Sequence, residues 1–211
     1  MSAVSGMKEE HLSELRSTLA KRIGSRRFLH TLGVEEAIIA LGECYLPGEI
    51  PRLRVAALLH DLTKEWSNEQ QISFCAENGI PLTLAERATP KILHAKTGAK
   101  LAELEFFPYV DEGILNAICR HTTGASGMEI FDELLYLADY IEPTRTYPEC
   151  VALREAFWNG YPASDDKLCH LHTVTLTALE STVKEIEGRG GTVFSDTEDA
   201  IRFLREITGI G

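Results

Sequence analysis

The chain reads as a succession of amphipathic helices. Leu12, Leu15, Leu19 and Ile23, three and four residues apart, open the first. Ser25 is the expected N-cap of a second, which runs through Phe28, Leu32, Ala37 and Leu41 toward Tyr45 and breaks at Pro47-Gly48. Pro51 suits the first turn of a third helix, 52–62, where its missing N–H costs nothing. Ser67 with Gln70, Thr83 with Glu86 and Ser126 with Glu129 read as capping boxes, the last opening a helix that runs to Glu142. Asp111 is the expected cap of a helix ending near His121, where Gly124 stops it. Further helices are expected over 91–104, 150–159, 165–187 and 197–208. Thr192-Val193-Phe194, inside a Gly-rich loop, is the one strand-like scrap. The expected fold is all-α.

Composition narrows the class. At 211 residues, 44% hydrophobic and 25% charged, the chain has enough apolar material for its own core. With 21 basic against 32 acidic residues the net charge is −11, which argues against blanket neutralisation of DNA or RNA phosphates. A local basic pocket for a small phosphate-bearing ligand stays open. Five scattered cysteines form no C-x-x-C pair, so neither a disulfide framework nor a thiolate zinc site is indicated, and a reducing, cytoplasmic setting fits. No stretch approaches the ~18 apolar residues of a membrane span.

Several helices then place an ionisable residue where their own period calls for an apolar one. His30 shares a face with Val34, Ala37 and Leu41; His60 follows Leu53, Ala56 and Ala57. His94 lies with Thr97, Leu101 and Leu104, His121 completes the row Ile114, Ala117, Ile118, and Asp139 stands four residues after Leu135. One buried imidazole is routine, but buried carboxylates at Asp61 and Asp139 cost several kcal/mol or change protonation unless a cation accompanies them. Four imidazoles and two carboxylates aimed at one interior imply a metal. Such nitrogen and oxygen donors suit iron, manganese, cobalt or zinc in an open site. Neighbours His60 and Asp61 can both face one point only at a helix C-terminus. His170 and His172, two apart on a helix, fail that test and are assigned to packing or surface; His11 is assigned to solvent.

In sequence order these motifs are RRFLH, LLHD with Lys64 three residues beyond Asp61, ILH, RHTTG, and YLADYIEP followed by Arg145. The set resembles the HD-domain metal-dependent phosphohydrolases and, within them, the YqeK group, bacterial enzymes that split diadenosine tetraphosphate symmetrically into two ADP. The resemblance spans about residues 26–145. Ala125 departs from it, since similar sequences often carry a basic residue there.

The resemblance implies an HD-domain helical bundle: residues 1–24 as an N-terminal helix whose first six residues are a loose start or cloning remnant, 25–160 as the hydrolase core, and 161–211 as C-terminal helices packed on it. It implies that His30, His60, Asp61 and Asp139 hold a first ion and that His94 and His121 complete a second site, with Asp61 bridging. A di-iron centre is the form it suggests, with manganese, cobalt and zinc also compatible. Asp61 and Lys64 take the catalytic roles. Lys64, Arg27, Arg120, Arg145, Thr122 and Thr123 are the candidate substrate contacts. No P-loop motif is present to cradle phosphate. A homodimer without nucleic-acid or membrane partners is expected. The residues leave other readings open: a nucleotidase with a different substrate, a di-iron oxygenase, or a non-catalytic nucleotide-binding module.

Overall fold

A computed structural model describes residues 8–210; the expected loose start at residues 1–6 lies outside them. Among the described residues there are eleven α-helices and no strand. They are α1 Glu9–Leu19, α2 Ser25–Tyr45, α3 Ile50–Leu59, α4 Asn68–Glu77, α5 Leu84–Ala88, α6 His94–Glu105, α7 Glu112–Arg120, α8 Ile130–Ile141, α9 Pro148–Ala163, α10 Lys167–Gly188 and α11 Ser195–Thr208. Thr192-Val193-Phe194 is irregular rather than extended into a sheet.

The local signals for these elements are chemical. Ser67 accepts from the Gln70 amide and Thr83 from the Glu86 amide, each with the reciprocal side-chain bond of a capping box. Asp111 accepts from the Ile114 amide and opens α7, and Gly124, at φ +67°, closes the turn that follows. Two expectations need correction. Ser25 is the first residue of α2, not its cap; Gly24 precedes the helix without a side-chain bond. Ser126 does not open α8, because Gly127 adopts φ +69° and interrupts the chain, and a box between Glu129 and Asp132 starts the helix instead.

Around a centre made of α2, α3, α7 and α8, α6 packs on α7, α1 on α3, α9 and α10 on α8, and α11 on α10. The contacting faces supply Val34, Ile38, Leu41, Leu53, Leu58, Ile114, Ile118, Leu134 and Leu137, all buried. Every fully buried aliphatic side chain of this kind contributes about 1.5–3 kcal/mol relative to leaving it in water. α3 ends at Leu59, three residues before the expected 62, so His60 and Asp61 fall on the turn beyond its C-terminus.

A buried carboxylate fastens the first three helices. Glu35 on α2 accepts two bonds from Arg16 of α1, at 2.7 Å each, and one from Arg54 of α3 at 2.9 Å. Glu9 joins both arginines from the solvent side. Removing one member of such a buried set costs about 3–5 kcal/mol, because the remaining charges lose their partner without regaining water. Glu35→Gln is expected to lower unfolding free energy by about 2–4 kcal/mol in urea titration. A change below about 1 kcal/mol would mean that apolar packing alone sets the α1–α3 arrangement.

Candidate metal centre

His60 sits just past α3, His94 at the first turn of α6, His121 just past α7, and His30 in the second turn of α2. In three of them the ring Nδ1 lies on the backbone carbonyl three residues earlier: His60 on Ala57 at 2.7 Å, His94 on Lys91 at 2.7 Å, His121 on Ile118 at 2.6 Å. A carbonyl can only accept, so each Nδ1 carries the proton and each Nε2 presents a lone pair. His30 Nδ1 is held instead by the Glu142 carboxylate at 3.1 Å. Four imidazoles are thus locked with Nε2 turned into the same space.

Asp61 lies between them and divides its oxygens. Oδ2 is 3.4 Å from His60 Nε2 and 3.7 Å from His30 Nε2, while Oδ1 is 3.3 Å from His94 Nε2 and 3.6 Å from His121 Nε2. Asp139 Oδ1 is 3.0 Å from His30 Nε2 and 4.0 Å from His60 Nε2. The donor atoms of His30, His60 and Asp139 fall within 4.8 Å of one another, as do those of His60, Asp61 and His121. All six expected donors therefore converge.

This donor set fits a divalent cation. His60 Nε2 and Asp61 Oδ1 are fully buried without any hydrogen-bond partner, and His94 Nε2 faces His121 Nε2 at 3.2 Å. Two lone pairs at that distance repel unless a positive centre stands between or beside them, and unpartnered buried acceptors are rare in folded proteins. Burial and the adjacent Lys64 push the His94 pKa down to about 3, leaving a neutral donor. Burial opposes ionisation of both aspartates, yet His60 and Lys64 hold Asp61, and Arg145 and His30 hold Asp139, well below the ordinary carboxylate range. Burial likewise opposes charge on His30, but Asp139 and Glu142 raise its pKa to about 9.

Behind the donors is a second layer that sequence patterns had not singled out. Glu142, almost wholly buried, also accepts from the Thr144 amide at 2.6 Å and hydroxyl at 2.7 Å. It packs against Gly33 of α2, where any Cβ would collide with its carboxylate. The turn bearing His60 and Asp61 is pinned by Thr63, which bonds the His94 carbonyl at 3.1 Å and the Thr97 hydroxyl at 2.8 Å, while Gln71 donates to the Thr63 carbonyl at 2.7 Å.

The expected cations divide into two groups. Lys64 Nζ is 2.9 Å from His94 Nε2 and 3.7 Å from Asp61 Oδ1. Arg27 meets Asp61 Oδ2 at 2.5 Å and Arg145 meets Asp139 Oδ1 at 2.5 Å, so all three stand at the donors. Arg120 turns away to Asp132 at 2.6 Å. Together with Thr122 and Thr123 it lines a separate cavity of about 220 Å³ that also carries Lys96 and Phe194. His170 bonds the Phe157 carbonyl and His172 the buried Glu133, both away from the donors.

Known relatives place this helical chain among the metal-dependent phosphohydrolases. The chain belongs to the HD domain family, whose sequence pattern matches residues 27–144. It is 29% identical over 184 residues to the symmetrical bis(5'-nucleosyl)-tetraphosphatase of Bacillus subtilis (strain 168), covering 87% of this chain and 92% of that protein. To the Staphylococcus aureus (strain NCTC 8325 / PS 47) protein of the same name it is 33% identical over 142 residues, 67% of this chain and 72% of the relative. A Clostridium acetobutylicum crystal structure, described as a predicted HD superfamily hydrolase involved in NAD metabolism, superposes with a TM-score of 0.81 at 30% identity, over 92% of this chain and 97% of that one.

Glu142→Ala strips His30 of the group that orients it. Metal affinity is expected to fall about 10–100-fold, the usual cost of losing an outer-shell partner, while far-UV circular dichroism stays unchanged. Asp61→Asn is expected to lower the bound metal per chain, measured by elemental analysis after chelator-free purification, to background. Wild-type metal content in Asp61→Asn would remove the bridge from the site.

Proposed function

We propose that this protein hydrolyses diadenosine tetraphosphate symmetrically, giving two ADP, with His30, His60, Asp61, His94, His121 and Asp139 holding divalent ions. The observation that carries the reading is the convergence of four imidazole Nε2 atoms and two carboxylates beside three cationic side chains. The names of the Bacillus and Staphylococcus relatives supply the substrate and the position of the cut. When bound, divalent ions at this donor set supply an acidified water and neutralise charge at the attacked phosphoryl group.

The chain's own residues do the rest. In a symmetric cut, water oxygen bonds to one β-phosphorus as its bond to the central bridging oxygen breaks, and that oxygen departs with the second ADP. Charge accumulates on the bridging and non-bridging oxygens, so fixed cations aimed at them lower the barrier. Lys64, one helical turn's distance beyond His60 and partly exposed, is the ammonium charge at the donors, 2.9 Å from His94 Nε2. Arg27 and Arg145 present planar forks suited to phosphate oxygens. Asp61 acts through both of its oxygens as the group common to the two halves of the centre.

Iron as the native ion, a homodimeric assembly and a cytoplasmic setting complete the proposal. The first two rest on the family resemblance. The third rests on five free cysteine thiols, as a reducing compartment maintains them. Among the described residues no helix is long and apolar enough to cross a membrane. A nucleotidase acting on another phosphoanhydride is the second reading, favoured by the "NAD metabolism" description of the Clostridium structure.

Incubation of metal-loaded protein with diadenosine tetraphosphate is expected to yield ADP alone by ion-exchange chromatography; AMP with ATP would overturn the symmetric cut. Lys64→Ala is expected to lower kcat about 10²-fold or more with metal content unchanged, the scale seen when one charge-stabilising donor is removed. Unchanged kinetics in that variant would return Lys64 to the surface.

A further inference from the structure

A buried side chain of α4 touches no metal donor yet grips both segments that bring Asp61 and His94 together. Gln71, 2% exposed, donates from Nε2 to the Thr63 carbonyl at 2.7 Å and accepts at Oε1 from the Thr97 hydroxyl at 2.5 Å. Thr63 lies two residues beyond Asp61 on the turn after α3, and Thr97 three residues beyond His94 in α6. The orientation of the amide is not free. A carbonyl accepts only, so the Gln71 atom on Thr63 is the nitrogen, which leaves the oxygen for Thr97. Thr97 then gives its single proton to Gln71, the nearest of its acceptors, ahead of the Leu93 carbonyl at 3.1 Å. The Thr63 proton serves the two remaining contacts, the Thr97 oxygen at 2.8 Å and the His94 carbonyl at 3.1 Å. The amide thus sets the sense of the whole relay.

Thr63 and Thr97 are wholly buried, and no polar side-chain atom of the three residues lacks a partner. A satisfied polar network in low dielectric fixes one arrangement, whereas an apolar filler at the same place tolerates small shifts between α4 and α6. α4 is a firm base for it. Ser67 and Gln70 cap the helix, and Trp66 packs edge-on against Phe74 at 5.2 Å between ring centroids. The same helix packs on α6 and on the Pro90–Leu93 turn that leads into it. The other half of the centre is anchored elsewhere. His30 and Asp139 stand on α2 and α8, Glu142 orients His30, and the His60 ring is locked on Ala57 at the end of α3. Groups that bind an ion need placement within about 0.5 Å. Asp61 Oδ1 and His94 Nε2, 3.3 Å apart, are the pair that the Gln71 amide spaces.

We propose that Gln71 is a positioning residue for one of two ion sites, the half of the centre formed by Asp61 Oδ1, His94 and His121. It acts through Thr63 and Thr97, holding the turn that carries Asp61 at a fixed distance from α6. The half formed by His30 and Asp139 does not depend on it. The proposal rests on the reading that these donors hold divalent ions. The relay itself is made of protein hydrogen bonds alone.

Calorimetric titration of chelator-treated protein with manganese separates the two halves. Wild type is expected to take up two ions per chain. Gln71→Met keeps the length of the side chain and loses both bonds; it should weaken one ion about tenfold, the low end of the cost of an outer-shell partner, and leave the other within about twofold. Thr97→Val, which has the shape of threonine without the hydroxyl, should do the same. Thr97→Ser keeps the hydroxyl and should bind both ions as wild type does. The ring nitrogen shifts of the metal-free protein, read by NMR, give a second measure: Gln71→Met and Thr97→Val should move the His94 signals and leave those of His30 in place. Equal weakening of both ions in these two variants, unchanged binding in both, or a loss in Thr97→Ser equal to that in Thr97→Val would overturn the positioning role. So would His30 signals that move as far as those of His94. Wild-type protein that binds no manganese would instead overturn the metal reading, and the ring shifts alone would then decide the role of Gln71.

Discussion

The centre depends on a hydrogen bond that draws little notice: an imidazole Nδ1–H given to the carbonyl three residues back. It occurs at His60 and His121, where the last carbonyls of α3 and α7 have lost their helical partners, and at His94, on the Lys91 carbonyl just before α6. The bond satisfies a backbone acceptor and fixes a tautomer at once. With the proton committed to Nδ1, Nε2 can only accept, and three rings from three segments point their lone pairs into one buried space. Had the rings been free to choose, His94 and His121 at 3.2 Å would settle as donor and acceptor to each other and close the site.

From that constraint the fold acquires its function in order of cost. Ionised Asp61 in a dry interior is expensive, and the energy is recovered only by positive partners on both of its oxygens. Arg27 supplies one directly, while Lys64 faces the other. The hydrogen bonds of Thr63, Thr97 and Gln71 keep the turn that carries Asp61 from relaxing away from this demand. The remote Glu35 set does the same for the helices that aim His30 and His60, since α2 and α3 must hold register for the two rings to meet.

Much of this could be read from residue types and spacing. An ionisable residue on an apolar face is visible because helix period fixes direction, and the four histidines and Asp139 found that way do converge, with Asp61 beside His60. The expectation that His60 and Asp61 share one point only at a helix end matches α3 stopping at Leu59. What escaped was whatever depends on the backbone or on distant packing. A carbonyl acceptor belongs to every residue, so the tautomer locks leave no sequence trace. Glu142 looked like an ordinary helix end, and its role exists only because Gly33, 109 positions earlier, leaves room for its carboxylate. Ser126 misled because a capping box requires extended backbone followed by helix, and Gly127 in the left-handed region denies it. Arg120 lies beside His121 in sequence, but neighbours on a helix differ by about 100°, and that rotation delivers it to Asp132 instead.

The acidic balance of the chain then ceases to conflict with an anionic substrate. Exposed charges more than a Debye length apart, about 8–10 Å at physiological salt, are largely screened, so the 32 acidic residues matter near the site only where they stand close to it. Close to the site the carboxylates of Asp61, Asp139 and Glu142 are paired with Arg27, Arg145 and His30, Arg26 lines an adjoining cavity, and Lys64 stands at His94. The arginines serve two masters. Arg27 and Arg145 lie on the aspartates, which makes the buried carboxylates tolerable, and both residues line that neighbouring cavity of about 390 Å³. A guanidinium, with five donors in a fixed plane, can hold a carboxylate on one edge and a phosphate on another, whereas an ammonium is a single compact point of charge. That difference accounts for arginine at the two aspartate contacts and lysine beside His94.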